Sequence, residues 1–291
     1  MPRAAAPAVP PSRAARLGRV PVVLAEVLTT IDRLWPLEGA EPWDAPGLVT
    51  GDPAAAIERV LFTVDAVAGT VDEAVELGAD LLIAHHPLLL RGVTSIAEDR
   101  YKGALLARLI RAGCALVAAH TNADVVDQGT SAVLASRLGL VDVRPIVPGA
   151  DAALGLGRIG RLPEPMSLGR LARVLAEILP PTATGVRAAG GFDDPVEVVA
   201  LCGGAGDSLL GDPLVRGADV YITADLRHHP ASEAREQALL GGGPALIDVS
   251  HWASEWLWLD AAAAELRDAH PELDVRVSEL RTDPWDFQVV Q

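Results

Sequence analysis

Six apolar runs of strand length, RVLFTVD, ADLLIAHH, CALVAAHT, PVEVVALCGG, DVYITAD and ALIDVSH, recur along this chain, with helical stretches such as VDEAVELGA, GALLARLIRAG, SLGRLARVLAEIL and SEWLWLDAAAAELRDAH between them. Such β-then-α alternation restricts a chain to mostly parallel or mixed sheets covered by helices, because a parallel neighbour can be reached only by a long crossover. The expected class is α/β, with mostly parallel or mixed sheets flanked by helices, in two α/β domains or in one large one. At 291 residues, half of them apolar, the chain is long enough to bury cores of that size. In SLGRLARVLAEIL, Leu168, Leu171, Leu175 and Ile178 return every three or four residues and make one apolar face, and Pro180 and Pro181 end the helix.

Between Val141 and Leu168 the chain turns rich in Pro and Gly, which marks a crossing from one domain to another. The organisation expected is a disordered tail over residues 1–20, a discontinuous α/β domain over 21–144 together with 245–291, and a second α/β domain over 145–244. The tail is rich in Ala, Pro and Arg and lacks acidic residues; an organellar transit peptide shares those traits, but few hydroxyl residues are present. No run approaches the roughly 18 apolar residues needed to span a bilayer. Two cysteines, Cys114 and Cys202, with no C-x-x-C spacing, imply a reducing compartment, and the cytoplasm is expected. A formal charge of -15, with Lys102 as the only lysine, argues against a nucleic-acid partner and suits the attraction of cations.

Six of the seven histidines fall in four polar clusters, each at the end of an apolar run, where open α/β sheets collect ligands. His85 and His86 are adjacent on an extended segment. Their side chains therefore diverge, and each could serve one of two neighbouring ions; a satisfied pair at a strand end is the equal alternative. His120 and Asp124, four apart in HTNAD, could reach a common point, or the loop could bond its own backbone through Asn122 and Asp124. Ser250 is placed to cap a helix on which His251 and Glu255, four apart, share a face and can reach one metal; a surface His–Glu hydrogen bond is the alternative, which the flanking Trp252, Trp256 and Trp258 disfavour. The cluster Asp225, His228 and His229 is expected outside the ligand set or in proton transfer, against a helix start facing water. Gly203, Gly204 and Gly206 form a Gly-rich turn that could cradle an anion or simply be tight; it matches no established phosphate loop.

The ordered motifs EPWDAPGL, LLIAHHPLLL, HTNAD, CGGAGDSLL, TADLRHH and DVSHWASE, spread over most of residues 21–291, resemble the GTP cyclohydrolase I type 2 homologues, the NGG-interacting-factor-three-like dinuclear metal proteins. The resemblance implies a two-domain α/β fold, a ring-like hexamer, and two divalent ions per chain in the cleft between the domains, held by His85, His86, Asp124, His251 and Glu255. Nitrogen and carboxylate donors do not choose among Zn, Mn, Fe and Ni. Metal-assisted hydrolysis is the implied chemistry, with a purine nucleotide such as GTP as substrate, His120, His228 or His229 moving protons, and Gly203–Gly206 near phosphate. Arg91 and Arg227 are the local cations available to a triphosphate. A non-catalytic scaffold or metal-sensing protein built on the same ligands is the alternative. The chain departs from the usual family pattern at Ala224 and Ser250, where Gly is common, and is too short for the extra central domain of longer members.

Overall fold

The computed structural model describes residues 22–290; the expected tail over 1–20 lies outside them. All six apolar runs form strands. Four neighbouring strands of a five-stranded sheet, Asp274–Val277, Arg59–Thr63, Leu81–Ala84 and Ala115–Ala118, run parallel, and Gly47–Thr50 closes the sheet antiparallel to the last of them. The second sheet has six strands in the order Arg187–Ala189, Ala245–Val249, Val220–Ala224, Pro195–Ala205, Arg158–Ser167 and Val141–Arg144. Its three central strands are parallel and its outer pairings antiparallel. The buried strands read as continuous Val, Leu, Ile and Ala because both faces are covered, as in Leu81–Ala84 and Val220–Ala224, where every residue is buried.

The Pro- and Gly-rich stretch from Val141 to Leu168 contributes two of these strands rather than only a connection. Pro163 and Pro165 lie in the part of Arg158–Ser167 where the ladder shifts register, between Arg161 and Met166. A proline cannot donate to a ladder and is tolerated at such an irregularity. By sheet membership, Val141–Arg144 and Ala245–Val249 both belong with the second sheet.

The helix Leu168–Ile178 ends before Pro180 as its sequence predicts, and Ser167 caps its start. The longest helix, His251–Ala269, packs against strands of both sheets and against the helices Leu24–Leu34 and Thr130–Arg137. Trp258 at its middle is fully buried and meets Trp35 edge-on at 5.3 Å between ring centroids, and Trp35 in turn meets Phe62. One continuous apolar core therefore runs from the first sheet through this helix to the second. Each large aromatic ring buried this way removes 150–250 Å² or so from water, which fixes the helix, and whatever its first turn carries, relative to both sheets. No helix among the described residues is long and apolar enough to cross a membrane.

Candidate metal centre

Three chain segments converge where the two sheets meet. His85 and His86 follow the strand Leu81–Ala84 and stay extended, their N–H groups donating to the carbonyls of Thr63 and Val64 on the neighbouring strand. The strand Ala115–Ala118 leads into His120 and the short helix Thr121–Asp124. From the second sheet, Ala245–Val249 leads to Ser250, whose hydroxyl accepts from the Ala253 N–H and caps the helix bearing His251 and Glu255.

In each of the four histidines, the Nδ1 side is held by an oxygen that can only accept. His85 Nδ1 donates to the Ala119 carbonyl at 2.8 Å, His86 Nδ1 to Asp65 Oδ1 at 2.7 Å, His120 Nδ1 to Asp44 Oδ1 at 2.8 Å and His251 Nδ1 to Asp225 Oδ2 at 2.8 Å. The hydrogen is thereby fixed on Nδ1, and Nε2 is left as the donor atom facing inward, the arrangement that prepares imidazole for a metal. His251 Nε2 lies 3.0 Å from Glu255 Oε1, His86 Nε2 lies 2.9 Å from Glu255 Oε2, and the Nε2 atoms of His86 and His251 are 3.2 Å apart. Two imidazole lone pairs at that distance require a proton or a cation between them. His85 Nε2 is buried without a hydrogen-bond partner, and such a group is costly unless something polar or charged completes it. Among the described residues the donor atoms fall into two groups that share His86: His85, His86 and His120, and His86, His251 and Glu255. This donor set fits divalent ions. Asp124 sits at its edge, with Oδ1 3.7 Å from His85 Nε2 and accepting from the Thr130 hydroxyl at 2.6 Å.

The electrostatics of the metal-free protein show how tightly these groups are coupled. Burial alone would push the Glu255 carboxyl up, but His251, His86 and His85 around it outweigh burial and hold it well below the usual value. Burial pushes His86 and His251 down, yet Glu255 and their aspartates raise them to about 10 and about 11. His120 moves the other way: its burial, aided by His85, lowers it despite Asp44. Asp124 is raised by burial.

The cluster opens into a cavity of about 910 Å³ lined from both sheets. Gly203 and Gly204 line it, but as walls rather than as an anion cradle, because their N–H groups donate to the hydroxyls of Ser131 and Ser254. Gly204 has φ +67°, which favours glycine, and a Cβ there would stand 3.3 Å from His251 Nε2 and collide with Glu255. Gly206 is not in the lining; its bare backbone leaves room for the Tyr221 and Thr223 hydroxyls. His228 and His229, expected as proton carriers, are exposed on the first turn of the helix His228–Leu239 and do not line the cavity. The same holds for Arg91 and for Arg227, which pairs with Asp207; the guanidinium in the wall is Arg187, bound to Asp248.

Asp65 and Asp44, the partners of His86 and His120, lie outside the four histidine clusters of the sequence. Asp225 lies in the cluster with His228 and His229 but serves His251 instead: it is held at φ +55°, a conformation that non-glycine residues seldom adopt, with its carboxylate against His251.

A model of the Duf34/NIF3 (NGG1p interacting factor 3) family matches residues 22–284. A Streptomyces coelicolor protein named GTP cyclohydrolase 1 type 2 homolog is 50% identical over 273 residues, 91% of this chain and 94% of that protein. A Mycobacterium tuberculosis protein of the same name is 36% identical over 374 aligned positions, 91% of this chain and 97% of that protein. That span exceeds the 291 residues here, so this relative carries residues with no counterpart in the chain. Among solved structures, the Staphylococcus aureus hypothetical protein SA1388 superposes with a TM-score of 0.83 and 27% identity, over 92% of this chain and 100% of that protein.

Proposed function

Because this chain belongs to the Duf34/NIF3 family, we propose that it is a metal-dependent hydrolase that opens a purine-type ring, with two divalent ions held by His85, His86, Asp124, His251 and Glu255. The observation that carries this reading is the inward convergence of Nε2 atoms whose Nδ1 sides are all committed, with His85 Nε2 buried and without a hydrogen-bond partner, at the wall of an open cavity. A closed structural site would be filled by protein atoms, whereas catalysis needs space beside the donors. The names of the curated relatives support ring hydrolysis as the reaction class.

Divalent ions in such a site acidify water and polarise the electrophile. The chain's own groups supply the rest. His120, kept neutral by its burial and fixed by Asp44, takes a proton from the attacking water as its oxygen bonds to the carbon between two ring nitrogens. The carbon–nitrogen π pair passes to one ring nitrogen, to which His120 returns that proton; the remaining hydroxyl proton then moves through His120 to the second nitrogen as its bond to the carbon breaks and the carbonyl forms, leaving a formamide and an amine. One water is consumed and no redox partner is required. Asp65 and Asp225 hold His86 and His251 in register throughout.

The same reading makes the protein a cytoplasmic homo-oligomer, hexameric by family resemblance. The edge strand Val141–Arg144, with Val141 and Val143 open to solvent, supports assembly, since exposed apolar edges invite pairing. Elemental analysis of purified protein, paired with hydrolysis of a purine panel with and without chelator, tests the proposal. It expects about two ions per chain and turnover that chelator and Glu255→Ala both abolish. Metal without turnover on any purine would transfer the site to a scaffold or metal sensor, and no metal after reconstitution would remove it.

A further inference from the structure

Resting on the hydrolase reading, we propose that the cavity takes its ring substrate as an uncharged purine-type compound, a nucleoside or free base, and discriminates against the nucleoside triphosphate. The charge of the walls is the first argument. Seven carboxylate residues line the cavity, among them Glu41, Asp248 and Asp283 beyond those at the donor cluster, against one guanidinium, that of Arg187, which is already paired with Asp248. Two divalent ions would not neutralise that wall. A low-dielectric cleft of one sign focuses its field and repels ligands of the same sign.

The second argument is that the groups that ordinarily hold phosphate are committed elsewhere. The Gly203 and Gly204 N–H groups serve Ser131 and Ser254, and Arg227 turns to Asp207. Triphosphate recognition draws on unpaired cations, and the one guanidinium among the described residues lining the cavity, Arg187, is paired with Asp248.

The third argument is what the walls do offer. Trp43 and Trp285 line the cavity with 60% and 62% of their surfaces exposed, unlike the buried Trp35 and Trp258. Open indole faces bind heteroaromatic rings by stacking without asking for charge. Each is tied to the reacting groups. Trp43 precedes Asp44, which holds His120, and its ring lies 5.9 Å from the His120 ring. The Trp285 N–H donates to Asp283, which also accepts from Ser250, the cap of the helix carrying His251 and Glu255. A ring seated on these tryptophans is presented to the donor cluster by the loops that orient the cluster.

Equilibrium dialysis of full-length, manganese-loaded protein against labelled guanosine and labelled GTP, with turnover followed on the same samples, tests this. The expected result is guanosine bound at least tenfold tighter than GTP, with Trp43→Ala losing at least fivefold of guanosine affinity at unchanged manganese content and Trp43→Phe retaining it. GTP bound as tightly as guanosine or tighter, whether or not it is hydrolysed, overturns the substrate class, and so does a failure of both to bind. Guanosine bound preferentially but turned over by neither route leaves this inference standing and removes the hydrolase reading instead.

Discussion

Gly204 on the second sheet stands so close to Glu255 on the long helix that a Cβ at position 204 would overlap the Glu255 carboxylate and come 3.3 Å from His251 Nε2. Gly204→Ala therefore has two effects. The left-handed φ of +67° costs an L-residue roughly 1–2 kcal/mol, and the methyl displaces Glu255 from between His86 and His251. The variant is expected to fold with stability lowered by about that amount and to bind divalent metal at least tenfold more weakly. Denaturant unfolding together with a metal titration checks both; wild-type affinity in Gly204→Ala would show that Glu255 needs no such space.

Asp65 and Asp225 touch no candidate ion position yet fix the tautomers of His86 and His251. Asp65 is itself held by the Thr282 hydroxyl. An amide at either position can present its NH2 to Nδ1 and so let the hydrogen move to Nε2, the atom that must stay free. Asp65→Asn and Asp225→Asn are each expected to lose about 10- to 100-fold in metal affinity while keeping the fold. Calorimetric titration with zinc is the measurement, and an unchanged affinity in both variants would mean that the inner donors orient themselves.

How much of this could be read from the chain follows from which contacts are local. The strands announced themselves as apolar runs, and the His251–Glu255 pair followed from helical spacing alone, since i and i+4 share a face. The aspartates behind His86 and His120 are remote in sequence and arrive only when the strands pair. Thr63 opposes Ala84 in a parallel register, so Asp65 and His86, each two residues further on, end side by side. That signal lay in the ends of two consecutive runs, TVD and AHH, once their parallel pairing is assumed. His228 and His229 misled because a polar pair after an apolar run resembles a site wherever the next helix starts; here that helix starts at His228 with its histidines outward. The strand through Pro163 and Pro165 was hidden because a bulge, invisible in composition, makes prolines tolerable.

The pH response should separate metal-free from metal-loaded protein by its sign. In the metal-free chain, His86 and His251 are raised from 6.5 to about 10 and about 11, so their contribution to stability is complete below pH 6.5 and is lost as pH rises through those values. Glu255 is held well below 4.5, so its contribution is present above pH 4.5 and lost as pH falls toward its folded value. This cluster therefore favours the metal-free fold most between about pH 4.5 and 6.5. Metal binding must expel the histidine protons, so metal affinity rises over the range in which metal-free stability falls. Thermal melts from pH 5 to 9 are expected to show a gap between loaded and metal-free protein that widens with pH; a gap that narrows would contradict these assignments.

Glu255 and His270 lie near opposite ends of one helical segment and provide the sharpest contrast. His270 Nε2 meets the Thr30 hydroxyl at 2.8 Å and its Nδ1 meets Glu272 at 3.1 Å, contacts that tie the helix end to Leu24–Leu34 and do not line the cavity. His270→Ala should cost about 1 kcal/mol from lost hydrogen bonds and leave metal content at the wild-type level. Glu255→Gln keeps the side-chain shape but removes the charge that most raises His86 and His251. Both imidazoles should then titrate closer to 6.5, and metal binding should be lost without unfolding, because the carboxylate is both their counter-charge and a donor in one of the two groups. Histidine NMR titrations of the metal-free variants, beside elemental analysis, read out both effects; equal metal content in Glu255→Gln and His270→Ala would sink the assignment of the centre.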